Sequence, residues 1–182
     1  VYHPYAYNPD DRYGEVEELR RIARSFAPHI GIRQGENGAP SRPGGFGAIA
    51  DADWTEEGQA KWALRRLLGD LSRDIPSSYF AICDMRYPTR VNYKGLLAIR
   101  DDKTVGHVKV GYRAVQHLTA LFDDTITRVR DLKASVTEGD AGSMYSVSGY
   151  LKDGESPIVA LWRSRDRPGE RPELERIRLV VE

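Results

Sequence analysis

The stretch Ile30-Gly-Ile-Arg-Gln-Gly-Glu36-Asn-Gly-Ala-Pro-Ser41 decides how the chain is read. Ile30 and Ile32 alternate with small or polar residues, the period of a half-buried strand, and lead to Gln34 and Gly35. Glu36 follows at once, and Asn37, Gly38 and Pro40 then break any regular element. A strand that ends on one acid at a turn aims a carboxylate outward, so Glu36 is the candidate chemical centre. It also fits a plainer role, a solvated turn acid ahead of Asn-Gly. The glycine-rich loop over 42–53 comes next and has the composition to be shaped around a ligand.

Upstream, residues 1–5 read as the end of a strand with Pro4 at its exit. Asn8-Pro-Asp-Asp11 is turn chemistry. Val16, Leu19, Ile22, Ala23 and Phe26 predict a helix that Pro28 ends. Downstream, Asp53 with Glu56 three residues on predicts a capped helix. Its buried face is Ala60, Ala63, Leu64, Leu67, Leu68 and Leu71, with Lys61, Arg65 and Arg66 turned away. Residues 78–84 are apolar at nearly every position, as in a strand buried on both faces, and end on Asp84. A short apolar piece at 95–99 and a helix over 109–122 follow. This alternation predicts an α/β fold with parallel strands covered by helices over 1–124. From Thr125 the pattern becomes short alternating runs at 125–129, 144–151, 158–162 and 177–181, with an Asp153-Gly154 hairpin signal. Residues 125–182 therefore read as antiparallel sheet, the start of a β-sandwich.

At 182 residues the chain suits one domain, or one with a small appendage. Its 27 basic and 27 acidic side chains cancel, which argues against a nucleic-acid or anionic-membrane partner. The single Cys83 cannot form an internal disulfide, and no Cys/His spacing suits zinc. No stretch approaches the roughly 20 apolar residues of a membrane-spanning helix, and none resembles a signal peptide. The opening Val1-Tyr-His-Pro-Tyr5 and the apolar end at Leu179-Val-Val-Glu182 lead to the expectation of a piece of a longer polypeptide.

His3-Pro-Tyr5, Gln34-Gly-Glu-Asn-Gly-Ala-Pro-Ser41, Gln59-Ala-Lys-Trp62 with Arg65-Arg66, Gly95-Leu-Leu97 and Gly111-Tyr-Arg-Ala-Val-Gln-His-Leu118 occur in that order. The set resembles the C-terminal part of retaining glycoside hydrolases built on a (β/α)8 TIM barrel, the clan of cellulases and β-xylosidases. The resemblance covers 2–122. It implies that 2–5, 30–36 and 78–84 are barrel strands six, seven and eight, followed by a sandwich. It implies that Glu36 is the catalytic nucleophile, with His3, Tyr5, Gln34 and Asn37 supporting it or the substrate. Asp84 fits either a bond to a substrate hydroxyl or a loop cap. The implied acid/base is a glutamate after an asparagine on strand four, and this sequence has no Asn-Glu pair. The second carboxyl group is thus expected on a missing N-terminal part, in the same or another chain. The implied partner is a carbohydrate, no cofactor or metal is implied, and an extracellular or periplasmic setting fits. The rival reading is a non-catalytic carbohydrate-binding or interaction module.

Other candidates have structural explanations. Gly44-Gly-Phe-Gly47 lacks the Lys-Ser/Thr of a phosphate loop. Asp10, Asp11, Asp101 and Asp102 read as turn acids, and their spacing is no calcium loop. Trp54 and Trp62 read as packing residues.

Overall fold

The computed structural model describes residues 1–139, 143–164, 166–172 and 174–182. Among these, helix α1 spans Tyr13–Phe26 and helix α2 spans Glu56–Leu71. α1 buries Tyr13 and Val16, one turn earlier than the apolar stripe indicates. The cap of α2 is Thr55, whose side chain accepts from the Gly58 N–H at 3.1 Å, and Asp53 lies outside it. Glu56 and Glu57 in the first turn suit the positive end of the helix dipole.

The strands are β1 (Met85–Arg86), β2 (Val91–Asn92), β3 (Leu97–Ile99) and β4 (Val105–Val108), then helix α3 (Val110–Leu121). After it come β5 (Ile126–Val129), β6 (Ala134–Glu138), β7 (Tyr145–Lys152), β8 (Ser156–Arg163) and β9 (Arg178–Val181). All pair antiparallel, in four small sheets: β1-β2, β3-β4, β5-β7-β8 and β6-β9. β7 and β8 form a hairpin over eight residue pairs, turning at Asp153 and Gly154, both left-handed.

This overturns the expectation of a TIM-barrel part. There is no closed barrel among the described residues, and the fold is mixed α/β with a sheet-rich C-terminal part. Segments 1–5, 30–37, 76–84 and 94–97 do lie side by side, but only three isolated parallel bridges join them: Tyr2↔Gln34, Asn37↔Tyr79 and Cys83↔Leu97. Ladders do not grow from these contacts. Pro4 and Pro76 have no N–H to give, and Gly31 and Gly35 weaken any strand they sit in. Residues 78–84 are not covered on both faces, since Ile82 is 60% exposed. The described residues of 125–182 are antiparallel sheet, as the alternating runs indicate. They make one three-stranded and one two-stranded sheet, and β6 carried no sequence signal strong enough to expose it.

Burial also departs from the apolar stripes. Trp54, Trp62 and Ala39 pack in one cluster, and Tyr13, Val16 and Ile75 in another. Between them the interior is polar. Arg65 and Arg66, expected on the wet face of α2, are buried. Arg66 pairs with Asp70 at 3.1 Å, both side chains wholly covered, and donates to the carbonyls of Pro9 and Asp11, each at 3.2 Å. Arg65 binds Asp10 and donates to the Asn8 side chain at 2.7 Å. A guanidinium with several acceptors fixed around it survives burial where a bare charge would not. The C-terminal part docks through polar contacts too. The Trp162 indole donates to Asp10 at 2.9 Å, and Arg128 reaches Asp74 through two nitrogens at 3.1 and 2.6 Å.

Candidate functional site

Glu36 is placed by the bridge beneath it. The Tyr2 N–H donates to the Arg33 carbonyl at 3.1 Å, and the Gly35 N–H to the Tyr2 carbonyl at 2.9 Å. These bonds lay the His3-Pro-Tyr5 segment alongside residues 33–36. Gly35 permits the close approach, because a Cβ there would stand 3.0 Å from His3 Nε2. The Tyr5 hydroxyl donates to Glu36 Oε2 at 3.3 Å, and His3 Nδ1 lies 3.6 Å from the same oxygen. When His3 is protonated this second contact is an ion pair. Glu36 Oε1 has no hydrogen-bond partner among the described residues. The Glu36 side chain is 39% exposed and that of His3 47%, so both remain reachable. Burial, then the charge of Glu36, pushes the Tyr5 phenol well above its ordinary range, which keeps it a donor at neutral pH.

A third neighbour was not among the sequence candidates. Lys94 is 1% exposed, and its Nζ lies 5.3 Å from the centre of the Tyr5 ring, a cation–π contact. No carboxylate stands within 4 Å of it among the described residues. Burial lowers its ammonium to about 8, and the charge of Glu36 pulls the other way. Gly47, at φ +105°, brings the glycine-rich loop onto this lysine; a Cβ there would stand 3.1 Å from Lys94 Nζ and 3.1 Å from Asn92 Nδ2. The available sequence signal was a lysine enclosed by Val91, Tyr93, Leu96 and Leu97.

The remaining expected residues go elsewhere. Gln34 is fully buried, and its Oε1 accepts from the Ser77 hydroxyl at 2.5 Å and the Ser78 N–H at 2.9 Å. Asn37 is equally buried and donates toward Ser77 at 3.4 Å and Asp70 at 3.5 Å. Both therefore belong to the polar interior around Arg66 and Asp70. Asp84 is 4% exposed and closed into an ion pair with Lys109 at 2.6 Å, while its Oδ1 also accepts from the Gly95 N–H at 3.0 Å. Burial pushes the Asp84 carboxyl up and the Lys109 ammonium down, against their attraction. Of the two roles weighed for Asp84, its contacts are those of a structural clamp. Among the described residues no group of three His, Cys, Asp or Glu side chains is placed to share a metal ion.

The arrangement presents one carboxylate with one oxygen held by donors and one oxygen open, beside a buried cation. The sequence matches no protein-family model and no curated protein.

Proposed function

We propose that Glu36 is the nucleophile of a retaining glycoside hydrolase. The observation that carries the reading is the division of its two oxygens. Oε2 is held by the Tyr5 hydroxyl at 3.3 Å with His3 beside it, and Oε1 has no partner among the described residues. In the proposed reaction Oε1 attacks the anomeric carbon. The bond from that carbon to the leaving oxygen breaks, and a second carboxyl group gives that oxygen its proton. The same group, now a carboxylate, takes a proton from water as the water attacks the anomeric carbon and releases Glu36. The Tyr5 hydroxyl orients the Glu36 carboxylate through Oε2 before attack.

Retention calls for two carboxyl groups about 5–5.5 Å apart. Among the described residues no second carboxylate bonds to His3, Tyr5 or Lys94. The proposal therefore draws the acid/base from polypeptide beyond these 182 residues, in the same or another chain. That single carboxylate also favours a second reading, a carbohydrate-binding module without catalysis.

The test is treatment of the complete protein with a 2-deoxy-2-fluoroglycoside, which traps the glycosyl-enzyme. The label is expected on Glu36. Label on another residue overturns the assignment, and glycan binding that survives Glu36→Ala with no hydrolysis by the wild type selects the second reading.

A further inference from the structure

A cleft of about 630 Å³ opens between α1, residues 30–32, residues 72–76 and β5, and arginines dominate its wall. Arg20, Arg24, Arg73, Arg128 and Arg130 line it, against two acids, Glu17 and Asp74. A second cavity of about 330 Å³ is lined by Arg73, Arg128 and Arg130 again, together with Ser72, Ser146 and Ser148. The formal neutrality of the whole chain conceals this concentration of positive charge.

The arginines converge. Arg128 and Arg130 both reach Asp74 Oδ2, at 2.6 and 2.9 Å. Arg20 donates to the Asp74 carbonyl at 3.2 Å and the Arg73 carbonyl at 2.8 Å, and pairs with Glu17 at 2.8 Å. One carboxylate thus serves two guanidinium groups, and their attraction, that of Arg128 first, holds the Asp74 carboxyl below its usual range. Arg24 has no carboxylate partner among the described residues. Arg130 is 70% exposed and spends one nitrogen on Asp74. Donors therefore remain in a space suited to a small ligand. Ile30, Ile32 and Pro76 add an apolar side to the same cleft.

We infer that this arginine cleft is a binding site for a small molecule carrying a phosphate or sulfate ester. Planar guanidinium groups fit tetrahedral oxyanions through paired N–H bonds, and an ammonium does so less specifically. The Ser146 hydroxyl supplies a further donor in the adjoining cavity, and Ile30 and Pro76 give the carbon skeleton a surface. The site does not involve Glu36 and stands whether or not the glycosidase reading does.

The experiment is thermal unfolding of the full polypeptide with inorganic phosphate, pyrophosphate or sulfate, each matched against sodium chloride at equal ionic strength. A saturable rise in Tm beyond the chloride control is expected. Arg24→Gln combined with Arg130→Gln alters two exposed side chains, so the unliganded Tm should hold while affinity for pyrophosphate falls about tenfold or more. Response to phosphate and sulfate alike supports the site with either ester as source. Response to phosphate alone supports it and narrows the source to phosphate esters. A rise no larger than that from chloride, or a double variant that binds as tightly as wild type, overturns it.

Discussion

Lys109 and Lys94 are equally hidden, at 2% and 1% exposure, and opposite in company. Lys109 donates to Asp84 at 2.6 Å, to the Ser41 hydroxyl at 2.8 Å and to the Gly95 carbonyl at 2.8 Å, with the Tyr93 carbonyl at 3.4 Å. Lys94 has the face of Tyr5 and the more distant charge of Glu36. The first pair is closed, and its bonds tie residues 41, 84, 93 and 95 to the start of α3. The second is open, a spare cation near a spare carboxylate oxygen. A buried charge that is fully bonded explains itself as structure. One that is not lowers stability, and a ligand or a reaction is the usual compensation.

The contrast breaks most easily at the open pair. Glu36→Gln keeps the shape of the side chain and removes its charge. Turnover by the complete protein should fall by about 10⁴-fold or more, as when other nucleophiles are removed. The circular dichroism spectrum and Tm should stay near wild type, because Glu36 is 39% exposed. A loss below tenfold would make Glu36 a bystander and cancel the distinction between the two pairs. The closed pair should answer in stability. Lys109→Met leaves Asp84 buried without its cation and should cost about 3–5 kcal/mol in urea unfolding. A cost under about 1 kcal/mol would mean that Asp84 finds other partners, and that the pair is no clamp.

Lys94→Met should act with the opposite sign. The folded state holds the Lys94 ammonium at about 8, below the ordinary value of 10.5. The unfolded chain therefore binds this proton more tightly, and unfolding is favoured while the group is charged. Below about pH 8 the penalty is complete; it fades as pH rises toward 10.5, so stability climbs through that window. The penalty is at most roughly 3 kcal/mol. At pH 7 Lys94→Met should thus be more stable than wild type, by about 1–3 kcal/mol, and should lose the rise in stability between pH 8 and 10.5. Urea unfolding at several pH values measures both. A variant less stable than wild type at pH 7 would show that Lys94 has favourable contacts equal to those of Lys109.

The two regions also differ in how far the sequence revealed them. Glu36 itself was legible because its signal is local, whereas its partners His3 and Tyr5, more than 30 residues away, were indicated by the resemblance. A turn acid follows an alternating run, and His3-Pro-Tyr5 lies on the one segment that bridges to Gln34. Asp84 was visible as a segment-ending acid, but its partner is 25 residues away, and no periodicity reports a tertiary ion pair. The helices were legible from their stripes, although Arg65 and Arg66 were placed on the wrong side. A 3.6-residue pattern distinguishes apolar from polar and cannot foresee that Asp10 and Asp70 supply buried partners for two arginines. The parallel sheet was misread for a related reason. Alternating strand-like and helix-like runs do set 1–5, 30–37 and 76–84 side by side, but bridging needs N–H groups in register. Pro4 and Pro76 interrupt it, and the glycines at 31 and 35 weaken the strands that would carry it.

The smallest effect belongs to Tyr5→Phe, and it tests how the open pair is held. The substitution removes one hydroxyl and keeps the ring that faces Lys94. At 3.3 Å the lost bond to Glu36 is long, and His3 remains 3.6 Å from the same oxygen. Its loss should cost about 1 kcal/mol of transition-state stabilisation, close to a fivefold fall in kcat/KM. His3→Gln should lower kcat/KM by a similar amount, because the contact from His3 is the other support on Oε2. If Tyr5→Phe instead abolishes activity, the phenol is a proton donor to the substrate. The open pair would then extend from Lys94 and Glu36 to Tyr5 as a reacting group.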